Sequence, residues 1–179
     1  TLAVATAIFS SSFDAAAQYY YKDIVSTQQI GGTYQQYKLN AVSKVNVSAF
    51  DRNIPVNDAV VIQQTVNTRQ NSVITYTKVP DADENWLKSY YNDKGQLIKT
   101  TDSTEHIVAH TVYQYNDKGL LSAISNQSVP KNNPVLTEFH QWVYNASNQP
   151  EKMIKIKNAT DTTVISFTTD EKGNIGEEK

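Results

Sequence analysis

The chain has no cysteine among its 179 residues. Disulfide bonds, thiolate metal sites and a catalytic thiol are therefore excluded, so packing alone must hold the fold together. A basic excess is missing as well, because 16 Lys and Arg stand against 18 Asp and Glu, for a formal charge of −2. Since the basic residues are scattered singly, we expect no nucleic-acid partner.

Motifs of enzymes and cofactor sites are also missing. The sequence contains no nucleophile motif of the G-x-S-x-G type and no glycine-rich phosphate loop. Three repeated acids, Asp93, Asp117 and Asp170, stand in turn sequences, and turn geometry already explains an Asp at such a position. We therefore predict a protein that is not an enzyme and that has no cofactor.

The N-terminal residues have the pattern of an export signal. A short apolar run at residues 2–9 is followed by polar serines and then by three alanines at positions 15–17, before Gln18. Signal peptidase requires small residues at the last and third-last positions before the cleavage site. We interpret residues 1–17 as a signal-peptide remnant and predict an exported protein, either periplasmic, on the outer surface or extracellular. The alternative is a buried helix or strand. The run is too short to span a bilayer, so no membrane span is expected in the mature chain.

The N-terminal segment, residues 18–41, predicts at most one short helix, over about residues 27–40. Ser26 or Thr27 could cap it. Gly31 and Gly32 argue against it, at roughly 1 kcal/mol each. Four residues recur at spacings of four, three and four, as one helix face requires: Ile30, Tyr34, Tyr37 and Ala41.

One turn unit repeats along the second half of the chain. The sequence Y-N-D-K-G-Q-L at residues 91–97 recurs as Y-N-D-K-G-L-L at 115–121, and weaker copies stand at 144–150 and 169–175. The positions equivalent to the first Tyr are 24, 29 and 25 residues apart. A period of this size is typical of repeat architectures, so we interpret residues 42–179 as a β-hairpin repeat domain.

Each copy of the unit predicts the same turn. Asn92 opens a type I turn, and Gly95 takes the left-handed conformation and forms a bulge into the next strand. The third copy has Asn148 in place of the glycine, and Asn tolerates that conformation best among the other residues. We therefore predict an all-β fold, a twisted antiparallel meander of repeated hairpins, with bends at Gly95, Gly119, Asn148 and Gly173.

The two best copies resemble the YD repeat, the Y-D-x-x-G-x-L unit of Rhs-type bacterial surface proteins. The resemblance covers residues from about 86 to 179. It implies hairpin-repeat architecture and an exported, cell-surface setting. In that family the repeats form curved β-sheet that can wrap into a shell, for which four copies are too few. It implies no catalytic residue, because the repeat has none.

Aromatic residues of the repeats are the candidate ligand-binding residues. Residues two apart share one face of a strand, so Tyr113 pairs with Tyr115 and Trp142 with Tyr144. One interpretation is a hydrophobic ladder between repeats; the other is a platform on which sugars stack. We predict an interaction scaffold for an unknown protein of the cell envelope, with a glycan-binding module as the alternative. The candidate residues are Trp86, Tyr91, Tyr113, Tyr115, Trp142 and Tyr144.

Two short motifs contain metal-ligand residue types. The sequence E-H-x-x-x-H at residues 105–110 would place His106 and His110 about 13 Å apart along a strand, too far for one ion. The sequence D-x-D-x-N at residues 81–85 resembles the start of a calcium loop, but Trp86 replaces the required glycine. We therefore predict no metal site.

Overall fold

The structure is a computed structural model, and it describes residues 20–48, 50–51, 54–55, 60–170 and 175–179. The interpretation of residues 1–17 as a signal-peptide remnant lies outside the described residues, and so does the predicted bend at Gly173.

A single helix precedes a long run of strands. Helix α1 spans Lys22–Leu39. The strands are β1 (Lys44–Val47), β2 (Phe50–Asp51), β3 (Ile54–Pro55), β4 (Val61–Asn67), β5 (Ser72–Lys78), β6 (Asn85–Tyr91), β7 (Leu97–Ser103), β8 (Ile107–Tyr115), β9 (Leu121–Pro130), β10 (Leu136–Tyr144), β11 (Pro150–Lys157), β12 (Asp161–Thr169) and β13 (Ile175–Glu178). In the described residues, β1 and β4 to β13 form one sheet of 11 strands, each paired antiparallel with its neighbour, and β2 pairs with β3. The predicted all-β meander with one helix is confirmed.

The repeated turns have the predicted geometry. Gly95, Gly119 and Asn148 have positive φ angles of 79°, 78° and 64°. In the first copy the Gly95 N–H donates to the carbonyl of Asn92 at 2.9 Å, and the other two copies repeat this bond. The strand register shifts by one residue at each repeat Tyr, as a bulge requires. Asn148 therefore occupies the left-handed position that glycine takes in the other two copies, a conformation that Asn tolerates.

The Tyr hydroxyls of the motif link neighbouring repeats. The Tyr115 hydroxyl donates to the carbonyl of Leu97 at 2.7 Å, and the Tyr144 hydroxyl donates to that of Leu121 at 2.7 Å. Each bond joins one repeat to the repeat before it. Leu97 and Leu121 are buried, so these bonds are partly shielded from water and fix how adjacent hairpins stack.

Helix α1 packs on one face of the sheet, which we call the inner face. The helix supplies Ile24 to one group of buried residues and Tyr34 to another. The first group contains Ile24, Leu121, Trp142, Met153, Ile165, Phe167 and Ile175. The second contains Tyr34, Val66, Val73, Tyr91 and Leu97. The opposite side of the sheet is the outer face.

The contacts of the helix reach across most of the sheet. A helix of 18 residues is about 27 Å long. Its hydrogen bonds nevertheless reach from Gln64 on β4, which accepts from the Tyr37 hydroxyl at 2.8 Å, to Glu178 on β13. These strands are nine steps apart, or about 43 Å in a flat sheet. The long side chains of Tyr37, Gln64 and Glu178 and the twist of the sheet make up the difference.

Three details of the predicted helix were wrong. It begins at Lys22, so Ser26 and Thr27 lie inside it and cap nothing. The Glu178 carboxylate instead accepts bonds from the Tyr20 and Tyr21 N–H groups at 3.1 and 2.8 Å. The buried side is also different, because it contains Ile24, Thr27, Gly31 and Tyr34, whereas Ile30 is 40% exposed.

Gly31 lies close to the Gly95 turn. A Cβ added there would stand 2.9 Å from the carbonyl oxygen of Gly95. A Cβ at Gly95 would stand 2.6 Å from Cγ of Gln35. Around Gly32 no atom lies within 4 Å of such a Cβ. Gly31 is therefore explained by packing, which the sequence did not reveal.

Candidate functional site

The structure does not place the six candidate aromatics on one open surface. Five of them lie on the inner face, in or against the buried groups beneath α1: Tyr91, Tyr113, Tyr115, Trp142 and Tyr144. Tyr34 stacks on Tyr91 with ring centroids 3.9 Å apart, and Phe167 stacks on Trp142 at 5.2 Å. These five rings belong to the core, which favours the interpretation as a hydrophobic ladder.

Burial changes the acidity of these phenols. It raises the pKa of Tyr91 to about 12, and it also raises the pKa values of Tyr115 and Tyr144. Their hydroxyls therefore stay protonated at neutral pH and serve as hydrogen-bond donors.

Trp86 is the exception among the six, because it lies on the outer face and is 49% exposed. Its ring contacts Tyr76, the residue paired with it on β5, at 4.6 Å between centroids and a 47° tilt. The structure thus separates Trp86 from the other five candidates. Among the six candidates, only Trp86, together with its neighbour Tyr76, remains open to a ligand.

The outer face combines exposed apolar residues with unbalanced positive charge. At the paired strand positions of β4 to β12 on this face there are four lysines and no Asp or Glu. Lys78 is bridged by Glu84 from a loop at 3.4 Å, and Lys88 lies over the ring of Tyr90 at 5.1 Å. The other two lysines are Lys99 and Lys152. The exposed apolar residues on this face include Trp86, Val112, Val129, Val143 and Val164.

Strand β12 has an edge that its neighbour covers only in part. Strand β13 and Lys179 pair with residues 166–169 of β12. Residues 161–165 have no strand beside them on that side within the described part of the chain. Backbone groups at an open edge can pair with an added strand.

An ionic chain joins the helix to the sheet on the inner face. His140 Nδ1 lies 2.6 Å from the Asp23 carboxylate of α1, and Nε2 lies 2.9 Å from Glu138. Lys155 continues the chain, 3.2 Å from the other Glu138 oxygen. Burial acts to lower the pKa of His140, but the hydrogen bonds and charges of Asp23 and Glu138 outweigh it and raise this pKa. Burial acts to raise the pKa of Glu138, but Lys155 and His140 outweigh it and lower this pKa.

A cavity of about 250 Å³ lies beside these ion pairs. Its lining includes Thr27, Tyr113, Asn126 and His140. Both nitrogens of His140 are occupied by carboxylates, so in this arrangement neither can accept a proton from a substrate or bind a metal. These ion pairs therefore attach the helix to the sheet. No local pattern in the sequence signals this group, because Asp23 and His140 are 117 residues apart.

Residues of both weak metal motifs meet at one end of the sheet. Asp83, Glu105 and His106 each offer a ligand atom, and these atoms lie within 4.8 Å of one another. All three residues are exposed, and His106 Nε2 is 3.4 Å from Asp83 Oδ2. His110 does not join them, since its Nδ1 lies 3.2 Å from the Thr101 hydroxyl.

No protein-family model matches this chain, and no curated protein matches its sequence. The resemblance to YD repeats therefore stays a prediction. Within the described residues, no helix has the length and hydrophobicity needed to cross a membrane.

Proposed function

We propose that this chain is an exported, non-enzymatic interaction scaffold that presents the outer face of its sheet to a protein partner in the cell envelope or outside the cell. One observation carries the proposal: the outer face joins exposed apolar side chains with lysines and has no carboxylate at its paired positions in β4 to β12. The helix packs on part of the inner face, and the outer face is the side of the sheet that it leaves open to a partner.

The chemistry of the outer face favours a partner with acidic groups. Exposed apolar side chains among polar residues can form part of an interaction site. A surface with more lysines than acids attracts a negatively charged surface and raises the association rate. Lys99 and Lys152 lie on strands β7 and β11, so the positive charge extends across much of the sheet.

Two further points support a scaffold over an enzyme. The inner cavity contains His140, but both of its nitrogens are occupied. The resemblance to YD repeats implies a surface setting and no catalytic residue. The export proposal rests on the pattern at residues 1–17, and cleavage after Ala17 would keep every described contact, since the described residues begin at Tyr20.

A glycan is the second candidate ligand, and one observation favours it. Trp86, which is 49% exposed, and the half-buried Tyr76 form an aromatic pair on the outer face, and rings of this kind can stack on sugars. Loss of glycan binding in Trp86→Ala, with binding kept in Trp142→Phe, would support this candidate over a protein partner.

Site-specific photo-crosslinking in the producing cells tests the protein partner. A photoreactive amino acid is placed at Val112 or Val164 on the outer face, and at Leu39 of the helix, which is 79% exposed, as the control. We expect one adduct of the same mass from both outer positions and none from Leu39. The untagged wild-type chain should compete it away, and Lys99→Glu should weaken it.

Adducts from Leu39 alone, or no adduct from either outer position, would contradict the proposal. Export is tested separately by N-terminal sequencing of the mature chain, for which we expect Gln18 as the first residue. A mature chain that keeps residues 2–9 would contradict the export signal.

A further inference from the structure

The loops at one end of the sheet bring three metal-ligand side chains together. Asp83 lies in the loop between β5 and β6, and Glu105 and His106 lie in the turn between β7 and β8. The meander places both connections at the same end, and the pairing of Trp86 with Ser103 aligns them side by side. The ligand atoms of the three residues lie within 4.8 Å of one another.

Backbone and side-chain bonds hold these loops in place. The Thr104 hydroxyl accepts bonds from the His106 and Ile107 N–H groups at 3.3 Å each. The His106 carbonyl accepts a bond from the Lys131 N–H at 2.9 Å. Beneath the loops, Asn85 on β6 donates to the carboxylate of Asp102 on β7. Little backbone rearrangement is therefore needed for the three side chains to converge.

The spacing of the His106 and Asp83 atoms is compatible with a shared ion. Their separation is 3.4 Å, whereas a charged hydrogen bond is about 2.7–2.9 Å long. Two ligand atoms at about 2.1 Å from a tetrahedral zinc ion stand about 3.4 Å apart. The observed pair therefore already has the separation of two corners of a tetrahedral site.

We infer that Asp83, Glu105 and His106 form a binding site for one divalent transition-metal ion of the zinc class. One imidazole and two carboxylates suit Zn²⁺, whereas Ca²⁺ and Mg²⁺ prefer sites built from oxygen alone. Three protein ligands leave a fourth position for water. The bound ion joins two loops that belong to different hairpins.

The experiment uses the full chain with any affinity tag removed, and titrates it with ZnCl₂ in a calorimeter. We expect one site per chain. His106→Ala and Asp83→Asn should each weaken binding at least about tenfold, the effect that loss of even an outer ligand partner has. His110→Ala is the matched control and should leave the affinity unchanged, because His110 lies apart from the group.

Two further readouts separate a metal site from a general effect on folding. Zn²⁺ should raise the melting temperature of the wild type and of His110→Ala, and not that of His106→Ala. Co²⁺ should give the visible absorption of a tetrahedral site in the wild type only when His106 is present. CaCl₂ should produce none of these effects.

The inference is overturned by any of three results. These are no saturable Zn²⁺ binding to the wild type, equal Zn²⁺ affinity in His106→Ala and the wild type, and equal loss of affinity in His110→Ala and His106→Ala.

Discussion

The two adjacent glycines of α1 allow the packing of helix on sheet to be measured directly. Replacing either glycine by alanine in a helix interior should gain about 1 kcal/mol from helix propensity. At Gly32 nothing opposes this gain, since no atom lies within 4 Å of the added Cβ. We therefore expect Gly32→Ala to stabilise the protein by about 0.5–1 kcal/mol.

At Gly31 the same gain meets a steric cost. The added Cβ would lie 2.9 Å from the Gly95 carbonyl oxygen, a backbone atom that cannot rotate away. Forcing an extra methyl group into such a contact costs about 1–3 kcal/mol. Because the propensity gain cancels between the two variants, Gly31→Ala should be less stable than Gly32→Ala by that amount.

Urea unfolding followed by far-UV circular dichroism measures this difference. The comparison is valid if both variants keep the wild-type slope of unfolding free energy against urea, so that only the midpoint moves. Equal midpoints for Gly31→Ala and Gly32→Ala would refute the close contact of α1 with the Gly95 turn.

Two other predictions concern the third turn and the ionic chain. At Asn148, where φ is 64°, Asn148→Ala should lower the free energy of unfolding by about 1–2 kcal/mol and Asn148→Gly should not; equal losses in urea unfolding would rule out a conformational cause. The raised pKa of His140 means that its stabilising effect is present below the ordinary histidine pKa and is lost as pH rises through the raised value. The lowered pKa of Glu138 means that its effect is present above the ordinary glutamate pKa and is lost as pH falls through the lowered value. The melting temperature should therefore be highest between the lowered pKa of Glu138 and the raised pKa of His140. The variant His140→Gln should remove the loss of stability on the alkaline side. An unchanged alkaline loss in that variant would assign the loss to another group.

The turns were predictable from the sequence because their chemistry is local. Asn, Asp and Gly at fixed positions define a turn within five residues, and even the replacement of glycine by Asn148 follows from backbone sterics. The antiparallel meander then follows from the repetition of that turn. The sharing of one face by Trp142 and Tyr144 likewise follows from the two-residue period of a strand.

The helix was harder to predict because tertiary contacts decide its limits and its buried side. Gly31 argues against a helix on propensity alone, yet it is the residue that allows the helix to touch the sheet. The N–H groups just before the helix bond to Glu178, which is 157 residues away from Tyr21. No local signal could have placed that carboxylate at the start of the helix.

The candidate site was predictable only in part for the same reason. The sequence shows that the repeat aromatics share a face, but it does not show that a helix covers that face. The group of Asp83, Glu105 and His106 was missed because its members come from two motifs, and neither motif alone has the spacing of a metal site. Only the strand register brings Asp83 to His106.

The central claim is that the aromatic residues of the inner face belong to the core and that the outer face is the open surface. The two tryptophans of the chain test this claim directly. Acrylamide quenching is measured in Trp86→Phe, which keeps only Trp142, and in Trp142→Phe, which keeps only Trp86. With exposures of 4% for Trp142 and 49% for Trp86, we expect blue-shifted, protected emission from Trp142 and red-shifted, readily quenched emission from Trp86. Equal quenching of both, or stronger quenching of Trp142, would contradict the assignment of the two faces.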